Sequence, residues 1–310
     1  MDLKQIEYIL KIAEENNITR AAEKLFITQS ALNQQLLKLE KELGTPLFVR
    51  SKGTWHLTRA GEIYVESAKK IVHIKKDTYN QINDLVERKK GKLVIGLPPE
   101  RGPEMFASIY PLFYKKYPNV KIEPVEMGVK QQQQEIKLGN LDIGFLTLQS
   151  FQKTNDEYIH ICSEEIILAV PGAHPLGHLG GKWGKKLPEI SLESVKHESF
   201  AIMQKGSTLR EIYENLVAEE DFRPTILLET RSCHNLFHMV DEGICCSVFP
   251  ITYAMESPCV SYFSIKQKPV WEVYASYKKG SYLSSIAKDF IQLAADYWSA
   301  KLGIIHESLY

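Results

Sequence analysis

Residues 19–61 read TRAAEKLFITQSALNQQLLKLEKELGTPLFVRSKGTWHLTRAG. Residues 19–26 form a short helical pattern in which the small Ala21-Ala22 pair permits close approach by a neighbour. After the junction at Ile27-Thr28, Thr28 suits the N-cap of a further helix that Gly44 stops. On that helix Leu32, Leu36, Leu39 and Leu43 fall at i, i+4, i+7 and i+11, one narrow apolar face. Ser30, Asn33, Gln34, Lys38 and Lys41 lie on the other side, interrupted by Leu37. A basic turn at 48–53 follows. Upstream, Leu3, Ile6, Ile9, Leu10 and Ala13 recur at helical spacing and stop near Asn16-Asn17, whose side chains favour turns.

Helix, tight turn, second helix and basic wing is an order that sets one helix into a DNA groove. The side chains offered to base edges and phosphates are Thr28, Gln29, Ser30, Asn33 and Gln34, with Lys38, Arg50 and Lys52 as cations. A merely solvated polar face has the same pattern, so the longer signature matters. Ala21-Ala22-Glu23-Lys24-Leu25, Gln29-Ser30-Ala31-Leu32, Leu39-Glu40, Leu43-Gly44, Leu47-Phe48, Arg50 and Leu57-Thr58-x-Ala60-Gly61 stand in order. This set resembles the N-terminal signature of LysR-type transcriptional regulators. Asn33 replaces the serine usual there, and Gln34 and Leu37 replace frequent arginines. Phosphate contact is therefore left to Lys38, Arg50, Lys52 and Arg59.

Residues 59–88 carry no proline and no glycine after Gly61. Positions 60, 64, 67, 71, 74, 78, 81 and 85 keep 4-3 spacing with half the places weakly apolar. That suits an ordinary surface helix as well as a coiled-coil seam; the resemblance implies a dimerising linker helix over 59–89, following a winged helix-turn-helix domain over 1–58.

From 90 onward strands and helices alternate. Strands are expected near 92–97, 120–125, 141–146, 165–170, 200–203, 225–228 and 244–249. Helices fall near 105–114, 130–138, 208–218, 235–242 and 282–302, the glutamines of 131–134 reading as a solvated face. Two βα sets with the chain crossing between them imply two α/β lobes facing a cleft, 90–161 plus 266–303 and 162–265. The fold class is α+β overall: a winged helix-turn-helix, a long linker helix and a two-lobed α/β effector domain. The resemblance likens that domain to periplasmic solute-binding proteins. It places the effector site at Pro99, Glu100 and Arg101, at Met127-Gly128, at Thr147, and at Met203, Gln204, Ser207 and Thr208. The helix start at Ser207-Thr208 suits a carboxylate, whereas Glu100 suits a cationic or hydroxylated ligand.

Lys/Arg and Asp/Glu balance at 38 each, but residues 1–90 hold 16 basic against 12 acidic residues, a mild excess at the end expected to meet phosphates. The amphipathic start lacks an apolar leader, and five cysteines, all in the second half, fit a reducing compartment; the expected location is cytoplasmic. His234 and His238 lie four apart on a helix, and Cys233 precedes Cys245 and Cys246. These leave metal sensing or redox sensing open as alternatives, although neither a metal site nor a cofactor is expected. G-x-S-x-G, G-x-x-x-x-G-K and H-E-x-x-H are absent, so no catalytic residue is assigned and an enzyme is not expected. The resemblance implies a DNA-binding transcriptional regulator controlled by a small-molecule effector of unknown identity. Promoter DNA, a homodimer or homotetramer and RNA polymerase are its implied partners.

Overall fold

Asp2 starts the first helix: its side chain accepts the Gln5 N–H at 2.7 Å and α1 runs Leu3–Glu15, ending at Asn16 in the left-handed region. The structure is a computed structural model and describes residues 2–51, 54–86, 90–220, 223–303 and 309. It forms two units, one of residues 1–89 with 137–140 and 280–284, the other of 90–136, 141–279 and 285–310.

In the first unit Asn17 caps α2 (Ile18–Lys24) by accepting two N–H groups, and Thr28 caps α3 (Gln29–Leu43), which Gly44 closes at φ 72°. Two short strands, β1 (Phe48–Arg50) and β2 (Trp55–Leu57), pair antiparallel as the wing. Helix α4 (Arg59–Leu85) follows. Ile9, Ile12, Ile18, Ala21, Ala22, Leu32, Leu36, Leu39 and Leu47 make one buried core. Leu43, expected in that face, is exposed. Its place is taken by the buried Glu40, whose carboxylate accepts the N–H groups of Leu47 (2.8 Å) and Phe48 (3.4 Å) and so ties α3 to the wing. The Thr58-x-x-Gly61 spacing has a similar cause. Thr58 donates its N–H to the Leu47 carbonyl at 2.9 Å, and a Cβ at Gly61 would lie 2.0 Å from that same oxygen.

The first two positions of the expected seam on α4, Ala60 and Tyr64, face the core of their own unit instead. Ile74, Tyr79, Ile82 and Leu85 are at least half exposed, and the expected linker residues 87–89 lie outside the described residues.

The second unit opens with β3 (Lys90–Leu97), α5 (Arg101–Lys116), β4 (Asn119–Glu126), α6 (Val129–Leu138) and β5 (Ile143–Leu148). β3 lies between β4 and β5, parallel to both. A 15-residue strand, β6 (Glu157–Pro171), then crosses to the other lobe. That lobe holds β7 (Glu189–Ile190), β8 (Ser199–Met203), α7 (Thr208–Glu219), β9 (Thr225–Thr230), α8 (Cys233–Asp241) and β10 (Cys246–Pro250). It is completed by β11 (Val260–Ile265); β12 (Val270–Tyr277) and α9 (Ser285–Leu302) return to the first lobe. Strand order is β4-β3-β5-β12-β6-β10-β8-β9, with β11 on β6 and β7 on β11. Up to Glu165, β6 pairs with β12; from Ile166 it pairs with β10 and from Ile167 with β11. β6 is thus one continuous strand shared by both lobes, and the chain crosses back over residues 266–269 between β11 and β12.

β11 and β12 escaped the sequence reading. In β11 (VSYFSI) serines interrupt the apolar run, yet Ser261 and Ser264 are buried, the former donating to the Gly177 carbonyl at 2.8 Å. The glutamine run is also not a solvated face throughout. Gln132 is fully buried and donates to the Met127 carbonyl at 2.9 Å, and Gln133 donates to the Gln152 carbonyl at 2.7 Å. Gly96 and Gly144 make the room, since a Cβ on either would stand under 3 Å from the Gln132 Oε1.

Candidate DNA-reading surface and effector cleft

The N-terminal turns of α3 leave Thr28, Gln29, Ser30, Gln34 and Lys38 exposed, with Asn33 half-buried beside them. The Thr28 hydroxyl accepts the Ala31 N–H at 3.2 Å and lies 3.2 Å from the Ser30 hydroxyl, so the helix start is fixed by its own polar side chains. Leu37 is a half-exposed apolar group within that polar face. Arg50 is not the free cation expected. Its Nη2 bonds Glu40 at 2.8 Å and its guanidinium lies 5.2 Å from the Trp55 ring centre, which clamps wing to helix first and leaves only its remaining donors for phosphate. Arg59 bonds Glu62 at 2.9 Å. Lys38 makes no ion pair among the described residues, and Lys52 lies outside them.

The two lobes of the second unit enclose a cavity of about 320 Å³. Pro99, Glu100, Arg101 and Thr147 border it from one lobe, Met203, Gln204, Ser207 and Thr208 from the other. Gly128 borders it too, so nine of the ten positions chosen from the sequence are brought together, while Met127 packs into the core of the first lobe instead. Strand ends explain the convergence: Pro99 follows β3, Thr147 is the last residue but one of β5, and the 204–206 turn after β8 leads to Ser207, the cap of α7. Ser207 accepts the Arg210 N–H at 3.1 Å, and the first helical N–H groups, those of Thr208 and Leu209, have no intrahelical carbonyl to bond. Lys205 and Arg231 add exposed cations at the rim, and Cys233, Tyr253 and Trp271 complete walls that strand-end reasoning did not reach.

Two expected ligand groups are engaged within the protein. Glu100, at φ 64°, accepts the Cys233 N–H at the start of α8 at 2.8 Å and faces His234 Nδ1 at 3.6 Å. That contact joins the lobes, as do Thr208 Oγ1 donating to the Thr147 carbonyl (2.9 Å) and Gln152 donating to Glu211 (2.6 Å). One oxygen of Glu100 is thus already engaged by the start of α8. Arg101, 3 % exposed, bonds the fully buried Glu164 at 2.6 Å between the rings of Trp271 and Trp298, 4.7 and 4.2 Å from their centres. Glu164 also accepts from Trp271 Nε1 (2.7 Å), the Thr252 N–H (3.0 Å) and the Thr252 hydroxyl. It sits on β6 immediately before the pairing changes lobes. Burial alone raises its carboxyl, but the Arg101 charge and these hydrogen bonds outweigh burial and hold it below the usual carboxylate range. Arg101 is a hinge ion-pair partner before it is a ligand contact.

The redox and metal alternatives gain little here. Cys162, Cys233, Cys245 and Cys246 are buried free thiols. Burial pushes the first and last of them up to about 12, and burial with the nearby Glu100 charge pushes Cys233 up as well. A peroxide-reactive cysteine needs the opposite shift. Among the described residues no group of three or more His, Cys, Asp and Glu is placed to hold a metal, and no helix is long and apolar enough to cross a membrane.

Comparison with known proteins follows the same division. Residues 3–62 match the family model for the bacterial regulatory helix-turn-helix protein, lysR family, and residues 87–299 match the LysR substrate binding domain. The chain is 29 % identical to the uncharacterized HTH-type transcriptional regulator YcgK of Bacillus subtilis (strain 168), over 96 % of this chain and 94 % of the relative. It is 31 % identical to the HTH-type transcriptional regulator AlsR of the same organism, over 79 % and 78 %. A full-length OxyR variant from Pseudomonas aeruginosa has a similar fold, with TM-score 0.69 at 24 % identity over 96 % and 97 % of the two chains. So does full-length CbnR complexed with its target DNA, with TM-score 0.59 at 18 % identity over 96 % and 99 %.

Proposed function

The chain belongs to the LysR family of transcriptional regulators, and from that premise we propose that α3 and the wing read promoter DNA while a small organic anion in the cleft sets the response. The anion reading rests on one observation: Glu100 is bonded to the start of α8, whereas the free N–H groups at the start of α7 border the cavity together with Lys205 and with Arg231, whose Nε bonds the neutral Gln204 amide at 2.7 Å. Thr147, Gln204 and Ser207 supply orienting polar contacts. An anion drawn to the α7 start while touching Thr147 bridges both lobes and changes their relative angle. We place the protein in the cytoplasm, acting as a homodimer or homotetramer with RNA polymerase as a further partner and no resident cofactor. It has no catalytic role in this reading.

Thermal shift against a panel matched in ionic strength tests the ligand class. A small mono- or dicarboxylate is expected to raise Tm, and ligand at about 100 times Kd adds about 2.7 kcal/mol. The shift should vanish in Lys205→Glu/Arg231→Glu. Shifts from amines alone contradict the anion reading. For DNA, Gln29→Ala or Asn33→Ala is expected to change base preference with an unchanged salt slope. Lys38→Ala should weaken all sequences alike and lower the log–log salt slope by about 0.9. Unchanged affinity in all three variants contradicts this reading surface.

A further inference from the structure

Phe26 is 95 % exposed and has φ 54°, the left-handed region. The cause of the backbone conformation is local. The Phe26 N–H bonds the Glu23 carbonyl and the Ile27 N–H bonds the Ala22 carbonyl, both at 3.1 Å, closing α2 in a Schellman turn. In that motif the left-handed position favours glycine, and after it asparagine, because a Cβ is disfavoured there. Backbone preference therefore argues against phenylalanine at 26. Packing does not favour it either, since Leu25 and Ile27 turn toward the core while the ring of Phe26 stands in solvent.

The position of the ring accounts for it. Phe26 lies two residues before Thr28, the cap of α3, next in sequence to the exposed Gln29 and Ser30. In a helix-turn-helix the first residues of the second helix meet base edges, which sets the preceding turn at the lip of the groove. Thr28, Gln29 and Ser30, which follow in sequence, are exposed and polar, and give no contiguous apolar patch of the kind that docks protein. A single aromatic in polar surroundings matches the isolated apolar groups of a duplex, the thymine methyl and the deoxyribose face.

We propose that Phe26 is a DNA contact, resting on an apolar group of the duplex at the entry of α3. This inference rests on the DNA-reading assignment of α3. Phe26→Asn and Phe26→Gly suit the left-handed turn better than the native residue, so both variants fold, with Tm unchanged or raised. The full-length protein first selects a duplex from a randomised library, and anisotropy then measures wild type and variants on it. Both variants are expected to bind about tenfold more weakly with an unchanged salt slope, since no phosphate contact is lost. A thymine-to-deoxyuridine replacement that weakens wild type but not Phe26→Asn assigns the methyl; no such effect, with the variants still weak, assigns the deoxyribose. Wild-type affinity in either variant overturns the proposal while leaving the reading helix intact, as does a loss that tracks a fall in oligomer mass. Failure of the wild type to select any duplex overturns both.

Discussion

Arg101→Leu is expected to cost the second unit about 3–5 kcal/mol in denaturant unfolding, because it leaves the fully buried Glu164 without its cation. Arg101→Leu/Glu164→Leu should recover much of that, since the penalty is the orphaned charge rather than the loss of a net attraction. The pH dependence carries a sign. In the wild type the Glu164 carboxyl is lowered, so its contribution is present above the unfolded value of about 4.3 and is lost as pH falls through the folded value. In Arg101→Leu burial works without that cation and the carboxyl moves up, so stability is lost as pH rises past about 4.3. The difference between the two proteins should be widest near neutrality and shrink toward pH 4. A difference that does not change with pH would mean that Arg101 stabilises by packing between Trp271 and Trp298 alone.

Ile74→Glu/Ile82→Glu is expected to leave the fold of the single chain intact, because both side chains are at least half exposed on α4. Its effect should appear in assembly. If the exposed stripe of Ile74, Tyr79, Ile82 and Leu85 pairs two copies, mass by light scattering falls to the monomer. Affinity for a duplex with two half-sites then drops by about 10²–10⁴, the loss that follows when the second half-site is no longer tethered. A dimer that survives both charges would assign subunit contact to another surface.

The reading head was legible because each of its boundaries is a local chemical event. Thr28 caps, Gly44 turns left-handed, and Gly61 passes the Leu47 carbonyl where no side chain fits. The cleft was legible through the family resemblance, projected onto strand ends and helix starts that gather on one side of each lobe whatever the packing beneath. What stayed hidden depends on residues far apart in sequence. Nothing near Arg101 points to Glu164, Trp271 and Trp298, and only their assembly turns an apparent ligand contact into a hinge ion pair. Glu100 looked like a ligand group because the α8 start that occupies it is 133 residues away. Gln132 reads as solvated until Gly96 and Gly144 open space for it on the neighbouring strands. Leu43 fits its heptad and is exposed, since Glu40 serves the wing better from within.

In the proposed regulation a ligand in the cleft of the second unit changes how the first unit holds DNA. Nuclease footprinting on a duplex selected by the protein, with and without a carboxylate that raises Tm, tests it directly. Protection of an inverted repeat is expected to lengthen, shorten or gain hypersensitive positions on adding the ligand, and to stop responding in Lys205→Glu/Arg231→Glu. An identical footprint with the ligand bound would contradict it.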